Sequence, residues 1–168
     1  MELKPAQWWR VDPALDELIR SRFATLHAVA SAAELFSWRV SARGRLAEVI
    51  ILDQFSRNLY RGTPGAFASD SLALALAQEA VALGADLQLE PTLRAFLYMP
   101  YMHSESKLVH TEALRLFSAP GLERNLKSEL KHKAIIDRFG RYPHRNLALG
   151  RISTAEERIF LAQPGSRF

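Results

Sequence analysis

The sequence predicts an all-α fold, a bundle of roughly seven to nine paired helices, and three observations carry that reading. Apolar residues recur at about 3.6-residue spacing along most of the chain, most clearly at Leu15, Leu18, Ile19, Phe23, Leu26 and Ala30. Capping residues open these runs, and glycines or prolines close them. No run alternates with period two between hairpin turns, as a strand would.

Asp12-Pro13 opens the first helix, because Asp caps free N–H groups and Pro is tolerated in the first turn. Trp8 and Trp9, just before it, are expected to cover one end of the core. A short helical piece holds Leu35, Phe36 and Trp38. Ser41 caps the next helix, which is apolar on most sides from Leu46 to Leu52 and therefore central; it is expected to reach about Phe55. Gly62-Thr63-Pro64-Gly65 breaks the chain, and Asp70 is expected to cap an Ala/Leu helix closed by Gly84. Glu90-Pro91 starts a helix that Pro100 is expected to interrupt. A helix from about Glu105 to Phe117, capped by Ser104 or Glu105, should bury Leu108, Leu114 and Phe117. One at 123–139 should bury Leu126, Leu130, Ile135, Ile136 and Phe139, and Gly140 stops it. Ser153 to Glu156 reads as a capping box for the last helix.

Length and composition bound the function. At 168 residues, 48% hydrophobic and 24% charged, residues 1–168 suit one well-cored domain. The absence of cysteine removes disulfides, thiolate metal sites and cysteine nucleophiles, and it suits a reducing cytoplasm. No signal-peptide core and no run near the roughly 18 apolar residues of a membrane span is visible. Between residues 124 and 151, eight Lys or Arg stand against Glu129 and Asp137, more than accounting for the net charge of +4. Aromatic residues do not alternate with these cations, which argues against a nucleic-acid partner.

Three polar constellations carry the candidate chemistry. Asp53, Arg57, Asn58 and Arg61 end the central helix; Asp53 and Arg57 are four apart and can pair, and the two arginines can clamp an anion. His103 and Glu105 follow Pro100, where a histidine beside a carboxylate can serve as an oriented base. Arg138, Arg141, His144, Arg145 and Asn146 surround a glycine stop and a proline turn, and cations so crowded need an acidic partner, internal or bound. Residues 57–62 and 145–150 share R-N-L-x-x-G, which ties the first and third groups together. His103, Glu105, His132 and His144 form a chemically allowable metal set, but none has HExxH-like spacing, so neither metal nor cofactor is expected. No GxSxG, P-loop or GxGxxG is present.

The segments WWRVDPALDELIRSRF, LDQFSRNLYRGTPGAFASD, FLYMPYMHSES, HKAIIDRFGRYPHRNLALGR and STAEERIFL resemble, in order, a bacterial family known as domain of unknown function 924. Ser56 and Ser106 stand where the family pattern leads one to expect Pro and Asp. The resemblance implies an all-α fold similar to the tetratricopeptide-repeat superfamily, although W-x2-L-G-x2-Y and a 34-residue period are missing. It implies no activity.

The leading expectation is a binding module for an anionic small molecule or an acidic peptide segment. Arg57, Arg61, Arg141 and Arg145 would supply charge, and Asn58, Asn146 and His144 would orient the ligand. The alternative is a hydrolytic or phosphoryl-handling enzyme, with His103 or His144 as base and Asp53 or Glu105 as orienter. A third possibility is a polar network that only cross-links the helices.

Overall fold

The computed structural model describes residues 11–166, and Trp8 and Trp9 lie outside them. Its α-helices are α1 (Pro13–Ser31), α2 (Ala42–Ile50), α3 (Ser56–Leu59), α4 (Asp70–Ala82), α5 (Pro91–His103), α6 (Lys107–Phe117), α7 (Glu123–Phe139) and α8 (Ala155–Leu161). A π turn, Ile51–Phe55, makes α2 and α3 one continuous rod. Short 3-10 turns occupy Phe36–Val40, Pro64–Phe67, Ala85–Gln88 and Pro143–Arg145. Among the described residues there is no strand, and no helix is long and apolar enough to cross a membrane.

The α2–α3 rod is the axis of the bundle. No residue from Gly44 to Leu59 is fully exposed, because α1, α4 and α5 pack around it. Leu46, Val49, Ile51 and Leu52 join Ala73, Ala77, Leu97, Tyr98 and Phe117 in the main core. Glu48, buried in the same rod, is held on both oxygens by Arg39 at 2.7 Å. Ser41 caps the rod on Gly44 N, and Gly44 is required there: a Cβ would lie 1.9 Å from the Trp38 carbonyl oxygen. Farther on, α5 packs on α6 and α6 on α7, while Ile135, Ile136 and Tyr142 form a smaller core with Phe139 and Phe160.

Several local expectations need correction. The central helix does not stop near Phe55 but continues to Leu59 through the π turn, a device that re-aims the side chains around it. Two carbonyls of this turn take side-chain donors, Leu52 O from Ser56 Oγ and Asp53 O from Arg57 Nη1. Asp70 caps nothing, since its carboxylate is drawn to arginines. Pro100 lies inside α5 without ending it. A proline costs a helix interior about 3 kcal/mol, and here the buried run Leu97–Met102, packed on α4, α6 and α7, outweighs that.

Ser106, rather than Ser104 or Glu105, caps α6 through Val109 N. The α6 face that packs inward is His110, Ala113, Leu116 and Phe117, leaving Leu108 80% exposed; in α7, Leu130 is 52% exposed. The capping box of α8 is Thr154 with Glu157, one residue later than expected.

Candidate functional site

The structure places Asp53 on the π turn, Arg57 on α3, His103 at the end of α5 and Arg145 on the last 3-10 turn; Arg57, His103 and Arg145 line one cavity, and Asp53 is buried behind His103. The cavity volume is about 770 Å³. One wall is apolar, from Phe67, Phe96, Met99 and Met102; another is α7, presenting Arg124, Asn125, Ser128 and His132; Tyr142, His144 and Arg145 close it.

Asp53 is buried, and its Oδ1 lies 2.7 Å from His103 Nδ1 and 3.3 Å from Arg57 Nη1. Burial alone would raise its pKa, but the Arg57 and His103 charges and the hydrogen bonds from His103 and Gln54 hold the carboxyl far below its ordinary range. An ionised Asp53 only accepts, so His103 carries its proton on Nδ1 and Nε2 keeps its lone pair. Nε2 makes no hydrogen bond within the described residues. Burial pushes the His103 pKa down, and the attraction of Asp53 offsets this only in part. The imidazole is therefore neutral at pH 7, oriented, and at a cavity wall.

Arg57 and Arg145 meet at Asp70. Arg57 donates to both Asp70 oxygens, at 3.0 and 3.1 Å, and Arg145 Nη1 reaches Oδ2 at 3.3 Å. Arg145 Nη2 donates to the His103 carbonyl at 2.9 Å, and the guanidinium lies between the Phe67 and Tyr142 rings, 4.7 and 4.6 Å from their centroids. Its Nε–H is buried with no hydrogen-bond partner among the described residues. Burial lowers the Arg145 pKa by more than Asp70 restores. Two carboxylates and two guanidinium groups leave this end of the cavity close to neutral. Arg124, in the first turn of α7, is exposed and has no ion-pair partner among the described residues.

Of the residues singled out from sequence, Asp53, Arg57, His103, His144 and Arg145 converge here. Arg61 borders the cavity, but Asp16 holds its guanidinium at 2.7 and 2.8 Å and also accepts from Asn58. Arg141 is clamped by Glu157, and Asn146 bonds Glu157, Ser153 and Arg151, so the expected ligand contacts of Asn58, Arg61, Arg141 and Asn146 are replaced by internal pairs. Glu105 is likewise no orienter of His103: it takes Arg151 on both oxygens and the Tyr142 N–H. Among the described residues no three His, Asp or Glu side chains are arranged to hold a metal ion.

Sequence reading picked out His132 but missed Asp70, Tyr142 and the rest of the α7 wall. Arg124, Ser128 and His132 carried a signal, a polar stripe at four-residue spacing on one helix face. Asp70 carried none, because Asp before a helical run reads as a cap.

A solved structure with the same fold is that of a protein of unknown function, ATU0120 from Agrobacterium tumefaciens, 39% identical in sequence with a TM-score of 0.90. The similarity covers 94% of this chain and 89% of that one. No curated protein matches the chain. The model of a family described as bacterial protein of unknown function, DUF924, matches residues 1–165, and the chain belongs to that family.

Proposed function

We propose that this protein binds a small organic anion with an apolar body in the cavity between α5 and α7. The observation that carries the reading is the pairing of two unlike walls. Phe67, Phe96, Met99 and Met102 offer apolar surface, while Arg124, the Arg145 Nε–H and His103 Nε2 have no partner for their hydrogen-bonding or charged groups among the described residues. Binding cavities generally combine a largely apolar lining with a few polar groups that fix orientation, at roughly 300–1,000 Å³. A volume of about 770 Å³ suits a small molecule better than an acidic peptide segment.

The test is a calorimetric and thermal-shift panel of aliphatic and aromatic mono- and dicarboxylates, phosphate monoesters and acidic peptides. A ligand at 100 times its Kd stabilises by about 2.7 kcal/mol, a shift of roughly 5–11 °C for a chain of this size. Arg124→Ala, an exposed change, should weaken binding about tenfold or more while leaving the unliganded melting temperature unchanged. Flat responses across the panel would overturn the reading and leave the cavity polar groups as helix cross-links.

A further inference from the structure

We propose that His103 is a general base and that the protein hydrolyses carboxylic esters bearing a free carboxylate at their far end. The inference rests on the ligand-binding reading above. Its own support is the arrangement around His103. Asp53 fixes the ring through Nδ1 at 2.7 Å, so the Nε2 lone pair stays available on the cavity wall. Among the described residues Nε2 bonds no hydroxyl, so water takes the nucleophile's place. Arg145, its Nη2 on the His103 carbonyl at 2.9 Å, is adjacent and has an unused, buried Nε–H. A buried donor without a partner is rare in native proteins and marks Arg145 as a cation that the fold leaves incompletely satisfied.

The chemistry balances with water as the co-reactant. The water oxygen bonds to the ester carbonyl carbon as His103 Nε2 takes its proton, and the carbonyl oxygen becomes an oxyanion stabilised by the positive charge of the neighbouring Arg145 guanidinium. The carbonyl then re-forms, the carbon–oxygen bond to the leaving group breaks, and that oxygen takes the proton back from His103. The products are an acid and an alcohol. The electrostatics select an ester over a phosphoryl group: Asp53 and Asp70 offset Arg57 and Arg145, so the His103 end suits an uncharged carbonyl and repels a dianion. Arg124 lies two helix turns from His132, about 12 Å along α7, and would hold the carboxylate.

The probes are the mono-4-nitrophenyl esters of glutaric and pimelic acids, followed by nitrophenolate release, with glutarate and pimelate as non-reacting ligands in calorimetry. Hydrolysis should exceed the buffer rate, and His103→Asn should lose about 10²–10⁴-fold in kcat while still binding the diacids. The charged and titratable groups around His103 are Asp53, Arg57, Asp70, His132 and Arg145. Their net effect is a wild-type rate that falls only as the pH drops below the ordinary histidine value. Asp53 acts as a positioning residue, so Asp53→Asn should move that acid limb to lower pH, because the carboxylate supports the imidazolium. A wild-type rate that climbs in proportion to hydroxide, or one unchanged in His103→Asn, would overturn the proposal. Absence of diacid binding would instead remove the binding reading beneath it. The wild-type pH profile decides the matter even if the variants do not fold.

Discussion

Arg57 and Arg145 each open an R-N-L-x-x-G segment, and both side chains reach Asp70. The parallel goes further. In each segment the Asn turns away to an outer carboxylate, Asn58 to Asp16 and Asn146 to Glu157, which lie in the first turns of α1 and α8. A second arginine clamps each of those carboxylates with two N–H groups, Arg61 on Asp16 and Arg141 on Glu157.

What differs is how fully the inner arginine is satisfied. Arg57 holds the Asp53 carboxylate and carbonyl and both Asp70 oxygens, and these partners reverse the effect of burial and raise its pKa. Arg145 is more buried, with side-chain exposures of 7% against 21%, yet it has one long ion pair, one carbonyl and two ring faces. A buried cation with all its acceptors supplied by the fold stabilises the fold. One left short by the fold is the cation that the proposed binding reading assigns to a ligand.

The largest effect expected of this contrast comes from Arg57→Ala. It strips Asp53 of its main counter-charge and should cost about 3–5 kcal/mol in urea unfolding. The pH dependence should follow. Asp53's folded-state pKa is depressed, so its ionisation stabilises the native state above about pH 4, and that contribution is lost on acidification as the unfolded chain takes up the proton. The variant lacks most of this term, so its deficit relative to wild type should narrow as the pH falls below about 4. A deficit independent of pH would show that Arg57 does not act through Asp53.

Acidification also tests His132, whose pKa burial pushes down to about 3. Between the ordinary histidine value near 6.5 and 3, the unfolded chain binds a proton that the folded one refuses. Stability should fall with pH in that window by at most about 1.4 kcal/mol per unit. His132→Leu should flatten the slope, and an unchanged slope would assign it elsewhere.

Arg145→Ala should cost less stability than Arg57→Ala, about 1–3 kcal/mol, because Asp70 retains Arg57, while ligand binding is lost. Equal costs in the two variants would break the comparison. The Asn residues sharpen it: among the described residues Asn146 is buried and bonds three side chains, whereas Asn58 bonds only Asp16. Asn146→Ala should therefore cost about 1–3 kcal/mol and Asn58→Ala about 0.5–1.5. Smallest is Arg61→Ala, under about 1 kcal/mol, since that guanidinium is 41% exposed. Paired equilibrium unfolding curves would rank all five.

Part of the site was legible before folding. Asp53 with Arg57 four residues on is a local pair, and it forms. His103 stood out as a candidate base with Asp53 or Glu105 as its orienter, and the local spacing that favoured the neighbour Glu105 pointed to the wrong one of the two. The carboxylate that orients it is Asp53, fifty residues away, whereas Glu105 is taken by Arg151. Arg141 and Arg145 look alike in sequence, yet one is locked to Glu157 and the other faces the cavity.

The sequence by itself determined the all-helical class, the buried central rod, the caps at Asp12 and Ser41, and the stops at Gly84 and Gly140. Each depends on residues within a turn or two of one another, where spacing and backbone preference act directly. Only the tertiary structure decided that Pro100 would not break α5, which face of α6 would pack, and which carboxylate each arginine would take. Those outcomes come from contacts between distant segments. There, burial strengthens a charge pair and penalises an unpaired group, and the lowest-energy pairing depends on every neighbour the fold supplies.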